Sequence, residues 1–304
     1  MTTTATGLDS PAQGPAFRRV GASRKLKDGV ARVAVWACFL LAAAPLIWVL
    51  YTVVANGLPA VLRPMWWSHS LNGVLPNEFL GGAYHAIIGT MYQGLITAVI
   101  SVPIGILVAV YLVEYGAGSK LAKATTFMVD ILTGIPSIVA GLFIYAVWIT
   151  TAGLQRNTFA MCLALVLLAV PVVVRTTEEM LRIVPNELRE ASYALGVPKW
   201  KTIVRVVLPT ALSGIVTGVM LAVARVMGET APALILLSYA DWINFDPFNG
   251  AMANLPLMIN SEFLNPTDAG YQRTWGAALT LVLIIMLFNL AATIVSRLSA
   301  IKKK

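Results

Sequence analysis

Apolar runs of membrane length recur along this chain, and they limit what it can fold into more than any single motif does. About 20 apolar residues at 1.5 Å per helical residue cross the hydrocarbon of a bilayer. Such runs fall at about 33–55, 84–113, 125–149, 158–174, 207–238 and 274–296. Only 12% of the 304 residues are charged, 58% are hydrophobic, and the mean hydropathy is +0.78. A soluble domain carries roughly a quarter charged residues. The expected fold is all-α, a polytopic membrane protein with six transmembrane helices.

The distribution of basic residues orients those helices. In a soluble chain a net charge of +8 would suggest nucleic acid; here no nucleic-acid partner is expected, because the charge is sorted between loops of a membrane protein. Of the 22 Lys and Arg, 18 fall in the N-terminal tail, the second loop, the fourth loop and the C-terminus. Three more, Arg63, Arg156 and Arg273, lie in the alternate loops, and Arg225 lies inside a span. By the positive-inside rule both termini are cytoplasmic in a bacterial plasma membrane. The organisation expected is a basic, partly disordered cytoplasmic tail over 1–29, a transmembrane domain over 30–300, and a basic cytoplasmic end over 301–304. The first run is read as a retained helix, since it exceeds a signal peptide's apolar core and no cleavage site of small residues follows it.

Several smaller features are read the same way. Trp66 and Trp67, adjacent in an outer loop, suit a membrane interface. Pro136 inside the third span and Pro232 inside the fifth imply kinks whose freed carbonyls need other partners. Asp130 is expected near Lys123. Cys38 and Cys162 lie in apolar runs and behave as small hydrophobes. His69 and His85 have no carboxylate at ligand spacing, so no metal or catalytic group is assigned.

The fourth loop, 175–209, is the one long charged segment between two apolar runs. Pro185 can open a helix and Gly196 can close one, so 185–195 reads as a helix of roughly 16 Å. Leu188, Ala191, Ser192 and Leu195 share one face, with Asn186, Arg189, Glu190 and Tyr193 opposite. Periodicity alone favours an amphipathic helix lying on lipid headgroups. Pro198 starts a second helix leading into the fifth span, where Arg225 and Glu229 stand four residues apart. Arg225 lies about 26 Å along the helix from Leu208, near or beyond mid-membrane. An i,i+4 pair there is either a structural lock or an anion site, in which the guanidinium fork meets oxyanion oxygens and Glu229 holds it when no anion is present.

The order Glu190-Ala191-Ser192, three residues, Gly196, nine residues, Val206-Val207-Leu208-Pro209 resembles the EAA loop of binding-protein-dependent ABC importer permeases. Ser192 replaces the usual second alanine. The resemblance implies the type I importer permease fold, with 185–209 as the coupling helix and its link to the fifth span. Glu190, Ala191, Gly196, Leu208 and Pro209 are the matching positions. The stretch from Ala224 to Pro232, with Val184-Pro185 upstream, Asn254-Leu255-Pro256 downstream and Thr133-Gly134-Ile135-Pro136-Ser137 in the third span, is similar to the phosphate-importer branch of that family.

What the resemblance implies is a permease subunit for inorganic phosphate working by alternating access, with Arg225 and Glu229 in the substrate pathway. It implies a homologous permease, an ATPase dimer and an extracytoplasmic phosphate-binding protein as partners. The chain has no Gly-rich phosphate loop ending in Lys-Ser or Lys-Thr, so ATP and Mg are expected on the ATPase and no cofactor on this chain. A permease for sulfate or molybdate is the near alternative. An ion-gradient transporter in which Glu229 shuttles protons is more remote, because it leaves the EAA-like loop unexplained.

Overall fold

The structure is a computed structural model in which residues 22–301 are described, with side chains from 23 to 294. Residues 1–21 of the expected tail and residues 302–304 of the expected C-terminal segment lie outside the described residues. Every regular element among the described residues is helical. The chain divides into two units, Met1–Thr52 and Val53–Lys304. Helix α1 (Ala22–Val61) begins in the first unit, where it exposes Val33, Trp36, Phe39, Leu41 and Trp48, and ends in the second. Such a surface is stable only in lipid or against another apolar chain.

The second unit continues with α2 (Pro64–Ser68) and α3 (Tyr84–Val110), which runs on through a π-helical turn over Tyr111–Tyr115. Next come α4 (Lys120–Thr133), α5 (Ser137–Ile144) with a π-helical extension over Tyr145–Thr151, and α6 (Thr158–Ile183). Two short helices follow, α7 (Asn186–Ala194) and α8 (Lys199–Thr202). A π-helical stretch over Ile203–Val207 joins α8 to α9 (Leu208–Met227), so the helix is continuous from Lys199 to Met227. The chain ends with α10 (Ala231–Leu236), α11 (Leu255–Phe263) and α12 (Asp268–Ile301). Five helices are long and apolar enough to cross a membrane, and α4 with α5 makes six if that bent pair is counted as one crossing.

Several expectations are revised. The third span is not one kinked helix: α4 and α5 meet at 106°. Gly134 and Ile135 separate them, and Pro136, the N-cap of α5, adopts φ −59° and ψ 138°, which helical geometry excludes. The fifth span also breaks, because α9 stops at Met227 and Pro232 sits in the first turn of α10 rather than inside a long helix. Gly141 of α5 abuts Pro232, where an added Cβ would stand 3.2 Å from the proline Cα. The two broken spans thus pack against each other beyond their breaks.

Trp66 is not interfacial. It is 3% exposed and its indole donates to Thr280 Oγ1 at 2.8 Å, anchoring the short helix α2 to α12. Asp130 lines one pocket with Lys123, as expected, but its ion pair is with Arg175, which also reaches Glu178 at 2.9 Å. That network ties the end of α4 to α6. The outer loop before the last span holds α11, whose N-cap Asn254 accepts from Leu257 N at 2.8 Å.

The membrane core is assembled around α6. Its principal neighbours are α3 and α9, and α9 also packs on α12. Close approach rests on small residues: a Cβ at Gly105 would come within 2.6 Å of Val173, and one at Gly218 within 2.5 Å of Thr176. In membranes such sites let dispersion contacts hold helices together where the hydrophobic effect cannot.

Candidate functional site

The segment 184–202, expected to dock on a partner, is shaped by two prolines and one glycine. Val184 precedes Pro185 and takes ψ 123°, as the proline ring demands of its predecessor, and α6 ends there. Pro185 then caps α7. At the far end Gly196 adopts φ +75°, Gly196 N donates to Tyr193 O at 2.9 Å, and Val197 N donates to Ser192 O at 3.2 Å. These paired bonds form a Schellman closure, which favours glycine at the left-handed position. Pro198 caps α8, and Ser192 Oγ shares a 2.8 Å hydrogen bond with Thr202 Oγ1, so α7 and α8 are stitched together.

The orientation of α7 turns one residue of each expected face inward, Ser192 from the apolar one and Arg189 from the polar one, and leaves the rest exposed or partly exposed. Leu188 and Ala191 are exposed and Leu195 is 83% exposed, whereas Ser192 is 7% exposed and Arg189 points inward. The cause is a buried acid. Glu114 Oε1 accepts from Arg189 Nε at 3.0 Å and from Nη2 at 2.9 Å. Arg189 Nη2 also donates to Leu181 O at 3.0 Å, and Nη1 donates to Val184 O at 2.7 Å. Lys199 adds a hydrogen bond to the Glu114 carbonyl and lies 4.9 Å from the centre of the Tyr115 ring. The helix leaves Leu188, Tyr193 and Leu195 exposed, as are Trp200 of α8 and Ile183 nearby in sequence. Glu190 is also exposed. Leu208 and Pro209, at the start of α9, are half-buried.

Within the membrane, Arg225 and Glu229 do not pair. The helix ends at Met227, and Gly228 N folds back onto Arg225 O at 3.1 Å, so the i,i+4 relation the sequence suggests is interrupted. Arg225 is exposed, Glu229 is half-buried, and among the described residues neither forms an ion pair. An uncovered guanidinium inside a span costs about 2.5–3.5 kcal/mol against hydrocarbon, so another chain or an aqueous cavity must meet it.

A polar cluster that sequence reasoning missed holds the helix end beside it. Gln93 of α3 is fully buried; its Nε2 donates to Val226 O at 2.8 Å, and its Oε1 accepts from Asn254 Nδ2 at 2.8 Å. Thr90 Oγ1 accepts from Leu255 N at 2.9 Å. The carbonyl of Val226 therefore accepts twice at the break, from Gln93 and from Glu229 N at 3.2 Å. A glutamine in an otherwise apolar span was the available signal, because buried polar groups in membranes require partners.

On the outer side Arg273 and Glu262 form a buried pair at 3.4 Å, and Arg273 Nη2 also donates to the carbonyls of Leu75 and Leu80 at 3.3 and 3.4 Å. These bonds fold the first outer loop against α12. Nearby, desolvation holds the Asp241 carboxyl above the ordinary carboxylate range, and it outweighs the opposing influence of Tyr239 and Arg273.

The exposed apolar residues of α7 and the uncovered arginine within a span are surfaces suited to contact with other chains. The chain belongs to the family of binding-protein-dependent transport system inner membrane components, whose model matches residues 101–302. It is a multi-pass inner-membrane permease subunit of the ABC importer class rather than an enzyme, and such permeases work with an ATPase and a binding protein.

Among its relatives, phosphate transport system permease protein PstA 1 of Mycobacterium tuberculosis (strain ATCC 25618 / H37Rv) is 55% identical over 288 residues, covering 95% of this chain and 93% of the relative. PstA of Pasteurella multocida (strain Pm70) is 40% identical over 249 residues, covering 82% and 87%. Solved structures show the same fold. The inward-facing MetNI methionine ABC transporter aligns with TM-score 0.57 at 22% identity over 72% of this chain and 94% of that one. A bacterial ABC transporter involved in import of the acidic polysaccharide alginate aligns with TM-score 0.62 at 15% identity over 90% and 98%.

Proposed function

We propose that this chain is the permease subunit that moves inorganic phosphate across the cytoplasmic membrane of an ATP-driven importer. The observation that carries the substrate is the 55% identity to phosphate transport permeases over nearly the whole chain. Arg225 agrees with it, being an uncovered guanidinium within a span whose planar N–H fork suits tetrahedral oxyanion oxygens. Sulfate and molybdate would satisfy the same fork, and only the relatives favour phosphate over them. An ion-gradient transporter is disfavoured by the exposed EAA-like helix, which such a machine would not need.

In this reading the exposed side of α7 docks on a PstB-like ATPase dimer, which binds ATP and Mg; this chain itself binds no cofactor. A PstC-like permease covers Arg225 and completes the pathway, and a PstS-like protein delivers phosphate from outside. Both termini are cytoplasmic, since the basic residues concentrate on that side. ATP-driven closure of the ATPases moves α7 as a rigid body, and the continuous helix from Lys199 to Met227 carries the movement to Arg225. The substrate must be held weakly enough to leave. The test is Arg225→Ala in the complete importer: uptake of labelled phosphate is lost while the subunits still co-purify. Undiminished uptake would remove Arg225 from the pathway, and uptake of sulfate or molybdate instead of phosphate would overturn the substrate.

A further inference from the structure

The helix from Lys199 to Met227 is one mechanical route from the docking helix to Arg225, and the side-chain bonds contain another. At its cytoplasmic end α3 continues to Glu114, a buried carboxylate that receives two N–H bonds from Arg189 of the docking helix. Arg189 spends its other donors on the last carbonyls of α6 and on Asn186, so the guanidinium joins α3, α6 and α7 at one point. About 30 Å away along the same helix, Gln93 holds the carbonyl of Val226, the residue next to Arg225, at 2.8 Å. Asn254 fixes the Gln93 amide from the other side. Between these ends α3 lies directly on α6, with Gly105 against Val173.

We propose that α3 is a second transmission rod, gripped by the docking helix through Arg189–Glu114 and gripping the broken end of α9 through Gln93–Val226. Glu114, Arg189 and Gln93 are on this account positioning residues that touch neither ATP nor phosphate. This rests on the reading of the chain as a phosphate importer permease.

Two features argue that the grip works in motion as well as in stability. The Arg189–Glu114 contact uses two N–H groups on one carboxylate oxygen in a nearly dry site, so it resists sliding and rotation better than a point contact. Gln93 binds at the break in the fifth span, where the regular helix stops at Met227 and only the turn made by Gly228 N and Glu229 N otherwise holds its last carbonyls. A push on α7 therefore reaches the Arg225 turn from below through α9 and from the side through α3.

The experiment uses the complete importer, with permease pair, ATPases and binding protein, in proteoliposomes. Phosphate uptake and ATP hydrolysis are measured together for the native chain, Glu114→Gln, Arg189→Lys, Gln93→Leu and the exchange Glu114→Arg with Arg189→Glu. We expect each single variant to assemble and hydrolyse ATP, with the ATP spent per phosphate transported rising about fivefold or more. The exchange should bring that ratio part of the way back. An unchanged ratio in the single variants overturns the inference. So does failure of all three to assemble, which would make the bonds structural only. If the native complex itself gives no ATP-dependent phosphate uptake, the importer reading fails and takes this inference with it, a result distinct from a normal ratio in the variants.

Discussion

In the proposed function Arg225 is the residue on which substrate chemistry turns, and its surroundings say what replacements should do. Because the guanidinium is exposed and unpaired among the described residues, removing it takes away no internal bond of this subunit. Arg225→Lys keeps the charge but replaces a planar fork by a point donor. We expect it to lower phosphate uptake about tenfold or more while leaving the amount of assembled importer unchanged, as read by uptake per purified complex. Arg273 is the opposite case. Its ion pair with Glu262 is buried, and Arg273→Met would strand the carboxylate, a loss of about 3–5 kcal/mol. Thermal unfolding in detergent should show it as a lowered midpoint.

Asp241 gives a pH dependence. Its carboxyl is raised above the ordinary value by desolvation, so the folded chain binds this proton more tightly than the unfolded one. The associated stabilisation is complete below the unfolded value and is lost as pH rises through the folded value. The Tm of Asp241→Asn relative to the native chain should therefore climb as pH rises through that window. A difference that stays flat would contradict the assignment.

At this scale the sequence was only partly informative. It pointed to Arg225 as a charge in a span, but Glu114, Gln93 and Arg273 looked ordinary. Their partners lie 75, 133 and, for the Arg273 bond to Leu75, 198 positions away, beyond the reach of local pattern.

Among the elements, the docking helix was well delimited by Pro185 and Gly196, since both act through backbone geometry that depends on their own chemistry. Its orientation was only partly legible, because what turns Arg189 and Ser192 inward are Glu114 and Thr202, partners that lie outside the helix. Leu195→Glu should accordingly leave the fold within about 0.5 kcal/mol, as for other exposed sites. The same substitution should reduce retention of the ATPase during purification of the importer. Full retention would mean that this face is not the docking surface.

The breaks follow a similar division. Pro136 and Pro232 announced a disturbance, but a 106° turn depends on how the freed ends pack, here α5 on α10. Helix α11 was missed although Asn254 and Pro256 form a recognisable N-terminal signature, because the length and polarity of the surrounding loop dominated the reading. Where helices cross, Gly218→Leu should push α9 off α6, since even a Cβ would stand 2.5 Å from Thr176. Loss of folded protein on size-exclusion chromatography is the expected result.

For the whole molecule, spans and family were legible because bilayer thickness imposes run lengths and the EAA-like spacing is specific. What one chain cannot encode visibly is the surface completed by others: the exposed length of α1, the cytoplasmic face of α7 and the uncovered Arg225 all await neighbours. The most direct test of the account is phosphate accumulation by proteoliposomes holding the complete importer, with ATP inside and loaded binding protein outside. The account predicts ATP-dependent accumulation that disappears with Arg225→Ala while the subunits stay together. ATP-independent accumulation, or accumulation undiminished by that substitution, would contradict it.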